Sequence, residues 1–200
     1  MKDEPRTPER IAELLVHVGR AARSEDSGSD LTAAQWTCLR FFSRANGSTR
    51  TPSGFASFQA TTRGTASQII KTLERRGLIV RTRSERDRRS VCFDLTDEGT
   101  AMLARDPLRQ LIGVVGALAT TERDGFLATL SRLSNALAFR RDMPAFGTCR
   151  DCSHFGTSGD TAFCACMAAE LAAEDTTKLC ASYSGPTLTR RSEGKHDDAA

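Results

Sequence analysis

Residues 61–95 read TTRGTASQIIKTLERRGLIVRTRSERDRRSVCFDL, and this stretch decides the fold. Residues 63–76 combine an apolar stripe with Thr, Ser, Gln, Arg and Lys, which predicts an amphipathic helix. It stops at Gly77, where a C-cap glycine is expected. Residues 78–83 (LIVRTR) then read as a short strand, residues 84–90 as a polar hairpin tip, and residues 91–95 (VCFDL) as the returning strand.

Working outward, each flank supplies helices. Thr7-Pro8 is a cap followed by the residue best tolerated in a first helical turn. Ile11, Leu14, Leu15 and Val18 recur at helical spacing, so residues 8–23 read as a helix. SEDSGSD is a linker. Thr32 caps a second helix bearing Trp36, Leu39 and Phe42, and Asn46-Gly47-Ser48 ends it. Thr51-Pro52 repeats the cap-plus-proline signal for a short third helix. Beyond the hairpin, Thr96 caps a long helix over residues 97–118, with a kink at Pro107. Thr120 or Thr121 opens a last helix carrying Phe126, Leu127, Leu130, Leu133 and Leu137. The expected fold is mainly α with a small two-stranded β wing: a winged helix-turn-helix with long dimerisation helices. Residues 1–6 and 184–200 are expected to be disordered, residues 7–146 to form the DNA-binding and dimerisation domain, and residues 147–183 a cysteine-rich tail.

Charge agrees with this order. The chain of 200 residues carries a net charge of only +3, but residues 61–90 hold nine basic and three acidic residues. A local basic zone on a nearly neutral chain points to a polyanion-binding face. Thr62, Arg63, Gly64, Thr65, Ser67, Gln68 and Lys71 start and line the helix after the turn. Hydroxyls, an amide and long cations are what base edges and phosphates accept. Gly64 costs a helix on the order of 1 kcal/mol relative to alanine, which close approach to a DNA backbone would explain. Thr51 and Ser53 on the positioning helix, with Arg83, Arg86, Arg88 and Arg89 on the wing, complete the candidate DNA-binding set.

LTAAQWTCLRFF, TTRGTASQIIKTLERRGLIVR and SERDRRSVCFDLTDEGTAML together resemble the MarR family of bacterial winged-helix transcription factors. The resemblance covers residues 8–140, and TLERRGLI, the DRR wing and LTDEG are its most specific parts. It implies a homodimer built from the first and last two helices and a recognition helix in the major groove. It also leaves room for a small-molecule effector. Two positions depart from the pattern: Gln59 stands where an apolar core residue is expected, and Ala60 where a turn glycine is expected.

Five of seven cysteines lie in the tail: Cys149, Cys152, Cys164, Cys166 and Cys180. Grouped thiols in a reducing compartment point to metal ligation or redox chemistry more than to a disulfide framework. The tail resembles an extension found on a subset of MarR-like regulators, with a Cys-x2-Cys pair, a third cysteine and a fourth in a short helix. That match implies Cys149, Cys152, Cys164 and Cys180 as ligands, with Cys166 the extra one. Four thiolates suit an iron–sulfur cluster or zinc. The wide second and third gaps favour the cluster; a reversible disulfide switch and free thiols are the other readings. Cys38, Cys92 and Trp36 read as core residues, and His17 as structural.

The expectation is a cytoplasmic, dimeric regulator of transcription, a repressor acting at a pseudo-palindromic operator in double-stranded DNA. Its tail would sense redox state, iron or a reactive gas. A ligand-responsive regulator with a purely structural zinc staple is the alternative. A redox enzyme is disfavoured, because the chain has no Gly-rich nucleotide loop after a strand, no nucleophile elbow and no HExxH motif. No stretch approaches the roughly 20 apolar residues of a membrane span.

Overall fold

Threonines start the helices that matter most. The computed structural model describes residues 7–22, 31–83 and 91–185. After α1 (Thr7–Ala21), Thr32 opens α2 (Ala33–Arg44) with a reciprocal box, its side chain accepting from the Gln35 amide while Gln35 Oε1 accepts from the Thr32 amide at 2.9 Å. Thr51 caps α3 (Pro52–Phe58), with Pro52 in the first turn, and Thr62 caps α4 (Arg63–Arg75). Strands β1 (Ile79–Arg83) and β2 (Val91–Leu95) pair antiparallel with Arg83 opposite Val91. The tip between them, with Arg86, Arg88 and Arg89, lies outside the described residues.

Two helix ends use the same hydrogen-bonded device with different residues. At the end of α4, Gly77 takes φ 69°, and the Leu78 amide donates to Leu73 O while the Gly77 amide donates to Glu74 O. At the end of α3, Ala60 takes φ 51° in the same role, with the Thr61 amide donating to Ala56 O and the Ala60 amide to Ser57 O. The expected turn glycine is therefore replaced by an alanine that adopts the glycine conformation. Gln59 is the half-buried C-cap, and Phe58 beside it supplies the apolar contact to the core. An L residue pays roughly 1–2 kcal/mol in the left-handed region. Ala60→Gly is accordingly expected to raise unfolding stability by about 0.5–1 kcal/mol after glycine's extra chain entropy is deducted. Denaturant titration checks this, and an unchanged or lower midpoint would refute it.

The core fills the space between α2, α3, α4 and the wing. Leu39, Phe41, Phe42, Phe55, Ala66, Ile70, Leu73 and Ile79 are buried there, with Trp36 and Cys38 as expected. Burial pushes the Cys38 thiol up, so this cysteine stays protonated and acts as a small hydrophobe. Cys92 is also buried, and its thiol donates to Gly47 O at 3.4 Å. The LTDEG signature gains a physical reason. Thr96 Oγ1 donates to Gly77 O at 2.6 Å and accepts from the Gly99 amide, while any side chain on Gly99 would collide with the Leu78 carbonyl. The motif thus welds the following helix to the junction of α4 and β1.

That following helix is not the single kinked rod expected over residues 97–118. The chain forms α5 (Asp97–Leu103), breaks, and resumes as α6 (Leu108–Gly116). Pro107 donates no backbone hydrogen bond, and buried Asp106 takes over the helix start by accepting from the Leu108 amide at 2.9 Å. The same carboxylate pairs with Arg40 of α2 at 2.7 Å, which pins the break to the core. The last helix, α7 (Thr120–Arg140), runs from there to the tail. His17, read as structural, is exposed on α1 in the single chain. Among the described residues no helix is long and apolar enough to cross a membrane.

The tail is a small β-rich unit. Strand β3 (Gly147–Thr148) leads into a 3-10 turn (Cys149–Asp151). The three strands β4 (Phe155–Ser158), β5 (Thr161–Cys164) and β6 (Ala169–Leu171) follow in that sheet order. A second 3-10 turn (Ala173–Thr177) precedes β7 (Leu179–Cys180), which pairs antiparallel with β3. Cys180 is therefore on a strand, not in the short helix that the resemblance implied; the helical turn before it ends at Thr177. Ser184, placed in the expected disordered terminus, is part of the unit: its carbonyl accepts from the Ser153 amide at 2.8 Å.

Candidate nucleic-acid interface and metal centre

The two faces of α4 are cleanly divided. Ala66, Ile70 and Leu73, at helical spacing, are buried against the core. Thr62, Arg63, Gly64, Thr65, Gln68 and Lys71 are exposed and Ser67 is half-buried, so the helix presents its polar residues outward. Thr62 Oγ1 lies 2.9 Å from Thr65 Oγ1 and accepts from the Thr65 amide, so these two hydroxyls also build the helix start. Gly64 is open: the nearest atom to a side chain placed there is Thr62 Oγ1 at 3.8 Å. Among the described residues nothing requires the glycine. Among the described residues Arg63, Lys71 and Arg83 form no ion pair. On α3, Thr51 Oγ1 accepts from the Gly54 amide at 3.0 Å and lies 3.1 Å from Ser53 Oγ, so Thr51 is committed to capping while Ser53 is exposed.

The wing base is fixed to this surface by residues that the sequence reading did not single out. Arg50, in the turn between α2 and α3, pairs with Asp94 of β2, and Asp94 also accepts from Thr82 Oγ1 at 2.8 Å. The Arg50 carbonyl accepts from the Phe93 amide at 3.0 Å. Asp94 is the one charged residue of an otherwise apolar strand, but no local signal ties it to a residue 44 positions away.

In the tail, the backbone brings four cysteines into one neighbourhood. Cys149 opens the 3-10 turn directly after β3, and the Cys152 amide donates to its carbonyl at 3.0 Å. Cys180 lies on β7, the partner of β3. Cys164 faces Phe155 across the β4–β5 ladder, three residues beyond Cys152. Cys149 and Cys180 are buried, Cys152 and Cys164 half-buried, and Cys166 is exposed. Burial, and after it the neighbouring thiols of Cys180, Cys164 and Cys152 with the Asp175 carboxylate, push the Cys149 thiol up to about 11. Cys152 Sγ accepts from the Ser184 amide at 3.4 Å, the kind of bond that tunes a ligating thiolate. Among the described residues no group of three or more His, Cys, Asp or Glu is placed to hold a metal ion as the side chains stand. The fold brings the four thiols near one another without forming a closed site.

Comparison with known proteins places this framework. Residues 29–90 match the MarR family model. An uncharacterised HTH-type transcriptional regulator of Bacillus subtilis (strain 168), YdcH, is 32% identical over 107 residues, spanning 52% of this chain and 73% of that protein. Among solved structures, S. aureus MepR in complex with DNA superimposes with a TM-score of 0.51 at 19% identity, over 66% of this chain and 96% of that one. CouR from Rhodococcus jostii RHA1, bound to p-coumaroyl-CoA, gives 0.50 at 21% identity, over 63% and 92%. The two structures share the winged-helix fold. The family match ends at residue 90, well before the tail. With the helix-turn-helix, the wing and the LTDEG weld all in place, the chain belongs to the MarR family of transcriptional regulators rather than to the enzymes.

Proposed function

We propose that this regulator is a homodimer that binds a pseudo-palindromic operator in double-stranded DNA as a repressor. In this reading its cysteine tail holds an iron–sulfur cluster or zinc that reports redox state, iron or a reactive gas. The observation that carries the DNA reading is the outward face of α4: Gly64, Thr65, Gln68 and Lys71 are exposed opposite a buried apolar face, and among the described residues the cation forms no ion pair. The DNA complex of the structurally similar MepR supports the same use of the fold. Dimerisation is supported by α1, α6 and α7, none of which has a buried residue in the single chain. Leu14, Ile112, Val114 and Leu127 are more than half exposed. Such faces are covered by a second copy about a two-fold axis.

The tail reading rests on the four convergent cysteines. When bound, either centre supplies a stable crosslink of the tail; an iron–sulfur centre also supplies sensitivity to oxidants. A second reading has its own observation. A cavity of about 270 Å³ is lined by Phe58, Leu137, Ala138, Arg141, Met143 and Phe146, where an apolar acid would meet a cation. Together with the ligand bound by CouR, it supports a ligand-responsive regulator with a structural zinc staple.

The test is binding to an operator selected from random DNA. Lys71→Ala is expected to weaken binding to all sequences and to lower the salt slope by about one unit, the mark of a lost phosphate contact. Gln68→Ala is expected instead to relax preference at one base position. Arg88→Ala and Arg89→Ala on the wing should behave as Lys71→Ala does. Sedimentation is expected to give twice the mass of one chain at micromolar concentration. Unchanged affinity in all four variants, or a monomer, would overturn the respective assignment.

A further inference from the structure

We propose that the turn between α2 and α3, residues 45–50, receives the state of the thiol cluster directly from the strand bearing Cys180 and transmits it to the DNA-reading face of the same chain, with Thr49 as the positioning residue. This rests on the reading that the four cysteines hold a metal centre. It differs from a route through α7, the helix to which the tail is joined, because it needs no change at the dimer interface.

Both neighbours of Cys180 are bonded to that turn. The Leu179 carbonyl accepts from the Asn46 amide at 3.0 Å, and Leu179 forms a parallel bridge with Ala45. The Ala181 amide donates to Thr49 Oγ1 at 2.8 Å. Thr49 is only 1% exposed, so its hydroxyl oxygen meets the Ala181 amide in a buried place. On its other sides the turn holds the reading head. The Thr49 carbonyl packs against Gly54 of α3, leaving no room for a Cβ there. The Arg50 carbonyl accepts from the Phe93 amide, the Arg50 guanidinium pairs with Asp94, and Gly47 O accepts the Cys92 thiol. One short turn therefore touches the tail, the positioning helix and the wing strand.

The strand on the tail side is only two residues long, paired with another of two. Ladders this short do not persist on their own, so the placement of Leu179 and Ala181 depends on what anchors Cys180. Anchored, the strand braces the turn; released, it takes two hydrogen bonds away from it. Binding at the thiols and binding at α4 are then linked, and the linkage is reciprocal.

The test uses full-length protein, reconstituted with zinc or, anaerobically, with iron and sulfide, and the same protein stripped by chelator under reducing conditions. Metal content, affinity for the selected operator and amide exchange at Asn46 and Ala181 are measured in both states. In wild type the two states are expected to differ in operator affinity by about 5–150-fold, and stripping is expected to speed exchange at both amides. Thr49→Val keeps the shape and loses the acceptor. It should retain its metal while the ratio between the two states falls at least about threefold; Thr49→Ser, which restores the acceptor, should recover it. Should Thr49→Val fail to fold, Ala181→Pro removes the same bond from the tail side. A wild-type ratio in a metal-loaded, folded Thr49→Val protein would overturn the inference and leave the metal reading standing. A wild type that holds no metal, or whose operator affinity ignores it, would overturn both.

Discussion

Phe55→Ala is expected to cost about 3–5 kcal/mol of unfolding free energy, a large share of the roughly 5–15 kcal/mol that holds an ordinary domain folded. Phe55 is fully buried on α3. Its ring centroid lies 5.6 Å from that of Phe41 and 6.1 Å from that of Phe42. Phe42 in turn meets Phe93 of the wing at 5.5 Å, and Phe41 meets Phe58 at 5.1 Å. Phe58 stacks edge-on, at 5.2 Å, against Phe146, the residue that leads into the tail. A continuous aromatic chain thus joins wing, reading head and tail, with Phe55 near its middle. Truncation removes the transfer free energy of the ring and leaves a cavity whose walls are rigid rings on helices already held by Thr51 and Gly54. Collapse around it is limited, so the upper half of the range is expected. Urea unfolding should show a lower midpoint with an unchanged slope. A loss below about 1 kcal/mol would mean that the rings do not share one core. Phe126→Ala on α7 is the useful contrast. Phe126 is 43% exposed in the single chain, so its effect should appear in dimer dissociation and not in the unfolding of the head.

The head was legible in the sequence because its signals are local. Thr32, Thr51, Thr62 and Thr96 each stand directly before the helix they cap, and Gly77 directly after the one it ends. The apolar stripe Ala66, Ile70, Leu73 defines by exclusion the polar face that DNA would meet. The break before α6 was half legible. Pro107 forbids a continuous hydrogen-bond ladder, but whether a helix kinks or restarts depends on the preceding side chain. Here Asp106 is recruited both as a cap and as the partner of Arg40, 66 residues away.

The tail was legible as a cluster of cysteines and not as structure. Its strands are two to four residues long, with small or polar residues such as Gly156, Thr157 and Ser158, and no apolar alternation marks them. Their turns use Gly159 at φ 59° and Ala168 at φ 48°, and only the first is a residue that announces such a conformation. The docking of Leu179 and Ala181 on the α2–α3 turn spans more than 130 residues, from Thr49 to Ala181. Nothing local in Thr49 marks it, since a threonine after Asn-Gly-Ser reads as ordinary turn chemistry. Its burial is what gives it away.

Loss of metal is the expected result for each of Cys149→Ser, Cys152→Ser, Cys164→Ser and Cys180→Ser, and retention for Cys166→Ser. The difference follows from placement. The first four are brought near one another by the 3-10 turn, the β4–β5 ladder and the β3–β7 pair, whereas Cys166 lies exposed past the end of β5. A neutral serine hydroxyl in place of one thiolate leaves three soft donors, too few to complete a four-sulfur shell. Second-layer losses typically cost a site 10–100-fold in affinity, on the order of 1–3 kcal/mol, and loss of a ligand itself should exceed that. Metal per chain after anaerobic purification reads the outcome, and the visible spectrum separates the two centres: a broad shoulder for iron–sulfur, no colour for zinc. The burial that raises the Cys149 thiol also sets a direction for pH. Without metal this thiol resists ionisation up to about 11, so its ligation must displace a proton and metal affinity should climb steadily from pH 6 to pH 9. Should Cys166→Ser empty the site as the others do, the ligand set is not the one the fold brings together. Should all five variants keep their metal, the thiols are not its ligands at all.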